Sequence, residues 1–200
     1  MTFTMVHDIV MYVMIAVLLL ATYVIIERFI FFVSTLKEGK SVENFVSSHL
    51  HDKKLHGQII ETFASKSSPQ AQAICEVVKA SQDAHTHEQM EYIVQSIYVS
   101  KKPNVGTRLW ILDTIITMSP LLGLLGTILG IIDAFHSLSS GNAAADPAAV
   151  SRGIGTALYA TGFGIFIALY AMMFFNYFST KVEQINNQMK LISLTLLGAR

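Results

Sequence analysis

Three long stretches of this chain carry no charged side chain: residues 9–26, residues 114–132, and the 26 residues from Gly153 to Phe178. A helix needs about 20 mostly apolar residues to cross the hydrocarbon core of a bilayer. Each stretch reaches or nearly reaches that length. The composition agrees, with 14% charged residues where a soluble domain averages about 25%. The fold class predicted is an all-α membrane protein: three transmembrane helices, with long helices extending into a cytoplasmic helical domain. A soluble enzyme, a disordered chain, a collagen and a secreted disulfide scaffold are excluded.

The patterning divides the chain into a short N-terminal stub (1–8), a first span (9–33), a polar helical region (34–108), a second span (109–136), an outer connection (137–152), a third span (153–178) and a helical tail (179–200). The first span is not expected to be a cleaved signal peptide. Such a peptide opens on basic residues and has an apolar core of about 7–15 residues. Here Met1 to Asp8 holds no Lys or Arg, and the apolar run resumes after Glu27-Arg28 as Phe29–Val33.

Lysine and arginine are retained on the cytoplasmic side of short loops. Nine lie from Lys37 to Arg108; Lys181, Lys190 and Arg200 lie in the tail, and Arg28 at the inner end of span one, so 13 of 14 fall on one side. Only Arg152 falls in the outer connection. The count predicts a periplasmic N-terminus and a cytoplasmic C-terminus. Net charge is zero, so no global field draws in nucleic acid.

In the polar region Ile74, Val77, Val78 and Ala80, then Met90, Ile93, Val94 and Ile97, recur at helical spacing. Ser67-Ser68-Pro69 predicts a turn before the first of these helices. Lys101-Lys102-Pro103-Asn104 predicts a break before span two. The tail residues Val182, Ile185, Met189, Ile192 and Leu196 predict a helix continuing span three. Asp146-Pro147 is expected to start helix three after a flexible outer hairpin.

The small residues of span two fall at Ser119, Gly123, Gly126, Thr127, Gly130 and Ala134; those of span three at Ala157, Ala160, Thr161, Gly164, Ala168 and Ala171. Lipid does not drive helices together, so such strips mark close helix packing. Thr127 and Thr161 lie deep in the apolar runs. Each hydroxyl has two readings: a bond back to its own helix carbonyl, or the lining of a polar path. Intramembrane charges are costly and usually functional. The candidates are Glu27, Arg28 and Asp113, with Asp133 at the outer end of span two. Glu27 and Arg28 point some 100° apart on a helix and are not expected to form a simple ion pair. They are placed to snorkel or to meet another helix. No carboxylate sits near the midplane.

Other chemistry is sparse. Cys75, the one cysteine, has no partner for a disulfide or a CxxC site. The histidines make no metal motif such as HExxH. No enzyme, metal or cofactor is expected.

The string Ser119-Pro120-Leu121-Leu122-Gly123-Leu124-Leu125-Gly126-Thr127-Ile128-Leu129-Gly130 resembles the SPxLGLLGTVxG signature of the MotA/TolQ/ExbB proton-channel family. Ala157-Leu158-Tyr159-Ala160-Thr161-Gly162-Phe163-Gly164, with Ala168, Ala171 and Asn176, is similar to that family's span-three segment. The resemblance covers about 80 residues, and three spans in a short chain fit its ExbB and TolQ branches. It implies an inner-membrane complex of a Gram-negative bacterium: a homo-oligomer, five subunits, around a dimer of single-span ExbD-like helices, powering a TonB-like protein. It also implies that Thr127 and Thr161 face the pore, with Thr156 a third candidate for the proton pathway. Thr156 stands where ExbB-like proteins commonly have Glu, and Leu169-Tyr170-Ala171 where they have Ile-Pro-Ala. A titratable acid is therefore expected from the partner, and a straighter inner half of span three.

The basic-residue count makes a direct prediction. A topology reporter fused near Lys66 or after Arg200 should read cytoplasmic, and one at Asn142 periplasmic. A periplasmic signal at Lys66 would overturn the orientation.

Overall fold

A computed structural model describes residues 3–49, 55–66, 68–80, 86–139 and 147–198. The described chain contains six helices: α1 (Phe3–Ser48), α2 (Leu55–Phe63), α3 (Pro69–Ala80), α4 (His87–Val105), α5 (Leu109–Ser139) and α6 (Pro147–Gly198). Three of them, α1, α5 and α6, are long and apolar enough to cross a membrane. At 1.5 Å per residue the 52-residue α6 is about 78 Å long. That is more than twice the roughly 30 Å of a hydrocarbon core.

Two compact units share these helices. One comprises residues 1–26 and 108–176, the other residues 27–107 and 177–200.

In the second unit, α2, α3 and α4 pack in succession around a core of Val42, Val46, Ile59, Phe63, Ile74, Val77, Met90, Val94, Ile192 and Leu196. The expected apolar faces of α3 and α4 supply four of these ten residues, and the expected tail stripe supplies Ile192 and Leu196. Contributions from Val42, Val46, Ile59 and Phe63 were not anticipated; Val42 and Val46 lie beyond the apolar run of α1, and α2 is only nine residues long. Phe32 stacks on Phe178 at 5.4 Å in the same unit. Thr86 starts α4 with a capping box: its hydroxyl accepts from the Gln89 N–H, and the Gln89 side chain accepts from the Thr86 N–H. Such caps contribute about 1 kcal/mol.

A buried amide ties three helices of this unit together. Gln70, 1% exposed near the start of α3, donates from Nε2 to the Thr35 carbonyl of α1 and to Gln188 Oε1 of α6, both at 3.4 Å. The amide occupies the space that a side chain at position 39 would fill. A Cβ on Gly39 would stand 2.5 Å from Gln70 Nε2 and 2.8 Å from Gln188 Oε1.

Four details add to the sequence reading or depart from it. Helix α4 runs through Pro103 to Val105, whereas Lys101–Asn104 was expected to break it. Proline removes one amide donor but has a helix-compatible φ, and the buried Val105 anchors the last turn. The chain turns instead at Gly106–Arg108, with Arg108 at φ 69°. Second, α1 continues to Ser48, well past the end of the apolar run. Third, α6 begins at Pro147, as Asp146-Pro147 led us to expect, and α5 reaches Ser139, so the ends of the outer connection are helical. The rest of that connection, like Asp146 and Ser67, lies outside the described residues. Fourth, Arg28 Nε donates to Glu27 Oε2 at 2.9 Å, so these neighbours do form an ion pair. Two long side chains bridge the angle between their Cα–Cβ bonds. Arg28 is 5% exposed and lies 4.9 Å from the Phe31 ring centre. A buried cation needs such compensation from a counter-charge and an aromatic face.

Cys75 is buried in the second unit. Burial pushes its thiol up; Lys79 pulls it part-way back, and Glu76 adds to the rise. The thiolate is the reactive form. Maleimide should therefore label native Cys75 slower than denatured Cys75 by about tenfold or more. Equal rates would show that this core opens freely.

Candidate functional site in the membrane-spanning unit

The strips predicted in spans two and three lie against one another within the first unit. Ser119, Thr127, Ala134, Ala157, Ala160, Ala168 and Ala171 are buried, as are Gly123, Gly126, Gly130 and Gly164. Large side chains on the opposite faces, such as Leu121, Leu124, Leu158 and Tyr159, are exposed. The approach is close enough that backbone meets backbone. A Cβ on Gly164 would collide with the Ser119 carbonyl oxygen and stand 3.1 Å from Gly123 Cα. One on Gly123 would lie 2.9 Å from the Ala160 carbonyl oxygen and from Thr161 Cα. At Gly126 the obstacles are side chains, Ala160 Cβ at 2.7 Å and Val10 Cγ1 of α1 at 3.6 Å. Glycine is required here for proximity, not for a special φ. Pro120, at the head of the motif, is part-buried inside α5.

This proximity brings the two deep threonines together. Thr161 Oγ1 of α6 donates to the Gly123 carbonyl of α5 at 3.0 Å and lies 3.3 Å from Thr127 Oγ1. Thr127 Oγ1 donates to the Leu124 carbonyl of its own helix at 2.7 Å. Of the two readings left open in the sequence, Thr127 takes the bond back to its own helix, whereas Thr161 bonds across to α5, which neither reading named. The Gly123 carbonyl as an acceptor was not foreseen. Its signal was the absence of a side chain at position 123, which exposes the main chain to a neighbour.

The hydrogen bonds of this pair do not reach the other candidates. Thr156 is exposed and donates to the Gly153 carbonyl at 2.9 Å. Asp113 is exposed on α5. Glu27 and Arg28 belong to the second unit. Among the described residues no group of three metal-ligating side chains gathers.

The MotA/TolQ/ExbB proton channel family matches residues 58–191, which include the whole span-two and span-three motifs. The chain belongs to this family. A Synechocystis protein whose name describes it as ExbB-like is 32% identical over 162 residues, covering 80% of this chain and 75% of that one. The biopolymer transport protein exbB1 of Vibrio cholerae is 42% identical over 69 residues, 34% of this chain and 29% of the relative. The Tol-Pal system protein TolQ of Haemophilus influenzae is 40% identical over 82 residues, 41% of this chain and 36% of the relative. Two of these three alignments thus span well under half of the relative's length. The family assignment makes the chain a membrane protein of a proton-channel family, and the α5–α6 seam is the part of it that carries the family motifs.

The glycine contacts predict an asymmetry. Gly164→Ala should destabilise the α5–α6 pair by about 1–3 kcal/mol, the usual cost of overpacking. Gly155→Ala should not, because a Cβ there meets nothing within 4 Å. Thermal unfolding in detergent would compare them, and equal melting temperatures would show that the seam yields readily.

Proposed function

We propose that this chain is an ExbB-type subunit of a proton-driven motor, working with a single-span ExbD-like partner that brings the titrating carboxylate. Such a motor uses the proton motive force to energise a TonB-like protein and, through it, outer-membrane uptake. The observation that carries this reading is the pair of hydroxyls, Thr127 and Thr161, 3.3 Å apart in the seam of the family motifs. Carboxylates of α5 lie toward its ends, at Asp113 and Asp133, and Thr156 occupies the position of the common family Glu. A proton crossing this region therefore needs an acid from outside the chain. In this reading the subunits form a homo-oligomer, a pentamer, around a dimer of partner helices in the inner membrane of a Gram-negative cell. The N-terminus is periplasmic and the C-terminus cytoplasmic. Each elementary charge crossing yields about 2.3 kcal/mol per 100 mV, a small quantum suited to repeated mechanical steps.

A TolQ-type role in the Tol envelope-constriction system is the second reading, favoured by the 40% identity to a TolQ protein. Deletion separates the two: loss of energised uptake of iron complexes supports the first, and detergent sensitivity with failed constriction supports the second.

Proton flux into liposomes tests the motor reading against a non-conducting membrane scaffold. The chain with its partner should conduct. A Thr127→Val/Thr161→Val double variant should assemble but lose about tenfold or more of the flux, equivalent to about 1.4 kcal/mol at the barrier. Undiminished flux in the double variant would sink the pore assignment.

A further inference from the structure

Within the second unit, α1 and α6 run in the same direction from one level, the stack of Phe32 on Phe178 at 5.4 Å. Further along, a Cβ on Gly39 would stand 2.8 Å from Gln188 Oε1, and Val42 and Val46 share a core with Ile192 and Leu196. Gly39 lies seven residues beyond Phe32, and Gln188 ten beyond Phe178. Helical side chains lean toward the N-terminus, which makes up much of that difference. At about 1.5 Å per residue in both helices, equal steps from the stack are equal heights to within about one turn.

Each helix also has a face turned away from this core. Lys37, Ser41 and Asn44 of α1 are exposed, as are Glu183, Asn187 and Lys190 of α6. Counted from the stack, Lys37 and Glu183 both lie five residues out, Ser41 and Asn187 nine, and Asn44 and Lys190 twelve. A cation thus stands level with an anion, a hydroxyl with an amide, and an amide with a cation. Among the described residues neither Lys37 nor Glu183 is ion-paired within the chain. Both helices are of membrane-crossing length and apolarity, and basic residues fix one orientation for every copy. Copies related by an axis along the membrane normal therefore hold equal residues at equal heights. In such a ring, α1 against a neighbour's α1 sets Lys37 beside Lys37 and Lys40 beside Lys40. Likewise α6 against α6 sets Glu183 beside Glu183. Like charges so opposed act against a pairing. Only the mixed contact sets opposite charges level.

Building on the homo-oligomer of the proposed function, we propose that the second unit carries a subunit interface in which the Lys37–Asn44 face of α1 packs against the Glu183–Lys190 face of α6 from the next copy, with Lys37 paired to Glu183. The occupant of each face is a second copy of this chain. The contact is head-to-tail: every copy gives α1 to one neighbour and α6 to the other, so it is satisfied throughout only in a closed ring. Beside the α6 face runs a groove lined by Glu43, Gln184, Gln188 and Leu191, which gives the side chains of the incoming helix a place to lie. The charges set which helices meet and in what register, outside the apolar spans.

Cross-linking in membranes tests the interface. Ser41→Cys and Asn187→Cys are placed together in the full chain, which is treated with a short bis-thiol reagent reaching across the roughly 8–10 Å between packed helix axes. Cys75 is buried, so the unaltered chain is the blank. The double-cysteine chain should give a ladder of joined chains on denaturing gels. That ladder should be about tenfold stronger than from either single-cysteine chain, which can join only like helices. Adding Glu183→Lys should weaken the ladder by about threefold or more, and adding Lys37→Glu to that should restore it. An unchanged ladder after Glu183→Lys would overturn the charge pairing. Native mass in detergent separates this inference from the reading beneath it. An oligomer that gives no ladder, or equal ladders from the single-cysteine chains, would overturn the interface and leave the oligomer standing. A monomeric mass would remove the oligomer and the interface with it.

Discussion

Main chain lies against main chain where α5 crosses α6, and the membrane-spanning unit depends on that contact. Gly123 and Gly164 have no side chains to separate the helices, so the Ser119 and Gly123 carbonyls come within reach of the opposite helix. In a bilayer there is no hydrophobic gain from pressing apolar helices together, and close van der Waals contact takes its place. The same closeness positions Thr161 to bond across the seam. Had either glycine been a larger residue, the helices would stand further apart and both threonines would bond only within their own helices. The packing thus creates the chemistry: the polar pair is a by-product of the glycines, and the glycines are tolerable because α5 and α6 hold each other.

Much of this was legible in the sequence, for a physical reason. Membrane spans are set by length and apolarity, which are local properties, so three long helices could be read directly. Small residues at three-and-four spacing define a face without reference to any partner, and Ser119, Gly126, Ala157 and Ala160 lie on the buried face so defined. What could not be read was anything that depends on how a long side chain reaches. Glu27 and Arg28 diverge at their Cβ atoms yet pair through flexible arms. The direction of the Thr161 hydrogen depended on a main-chain carbonyl whose accessibility is a tertiary fact. Pro103 marked a break by propensity, but a single missing donor near the end of α4 was outweighed by the anchoring of Val105.

The second unit follows a different logic. Its core is assembled from three short helices and parts of two long ones, so no single segment carries it alone. Phe63, Ile74 and Val94 become a core only when α2, α3 and α4 are stacked with the segments of α1 and α6 that belong to the unit. Polar fastening accompanies the apolar packing here. The Gln70 amide reaches Thr35 and Gln188, and a buried amide without such partners would be costly. The fastening is directional where the packing is not, so it specifies which turn of α3 faces which turn of α1.

The hollow at Gly39 has a consequence for how this chain can change over generations. As long as Gln70 fills that hollow, a first substitution at position 39 forces the amide out of a buried place and away from its acceptors. A first substitution at position 70 to a shorter residue removes the nearer obstacle, so that a side chain at position 39 then has only the Gln188 amide, 2.8 Å away, to displace. The two sites, 31 positions apart (70 − 39), can drift in one order more readily than in the other. A sequence lineage carrying alanine or serine at position 39 should therefore already have shortened the residue at position 70.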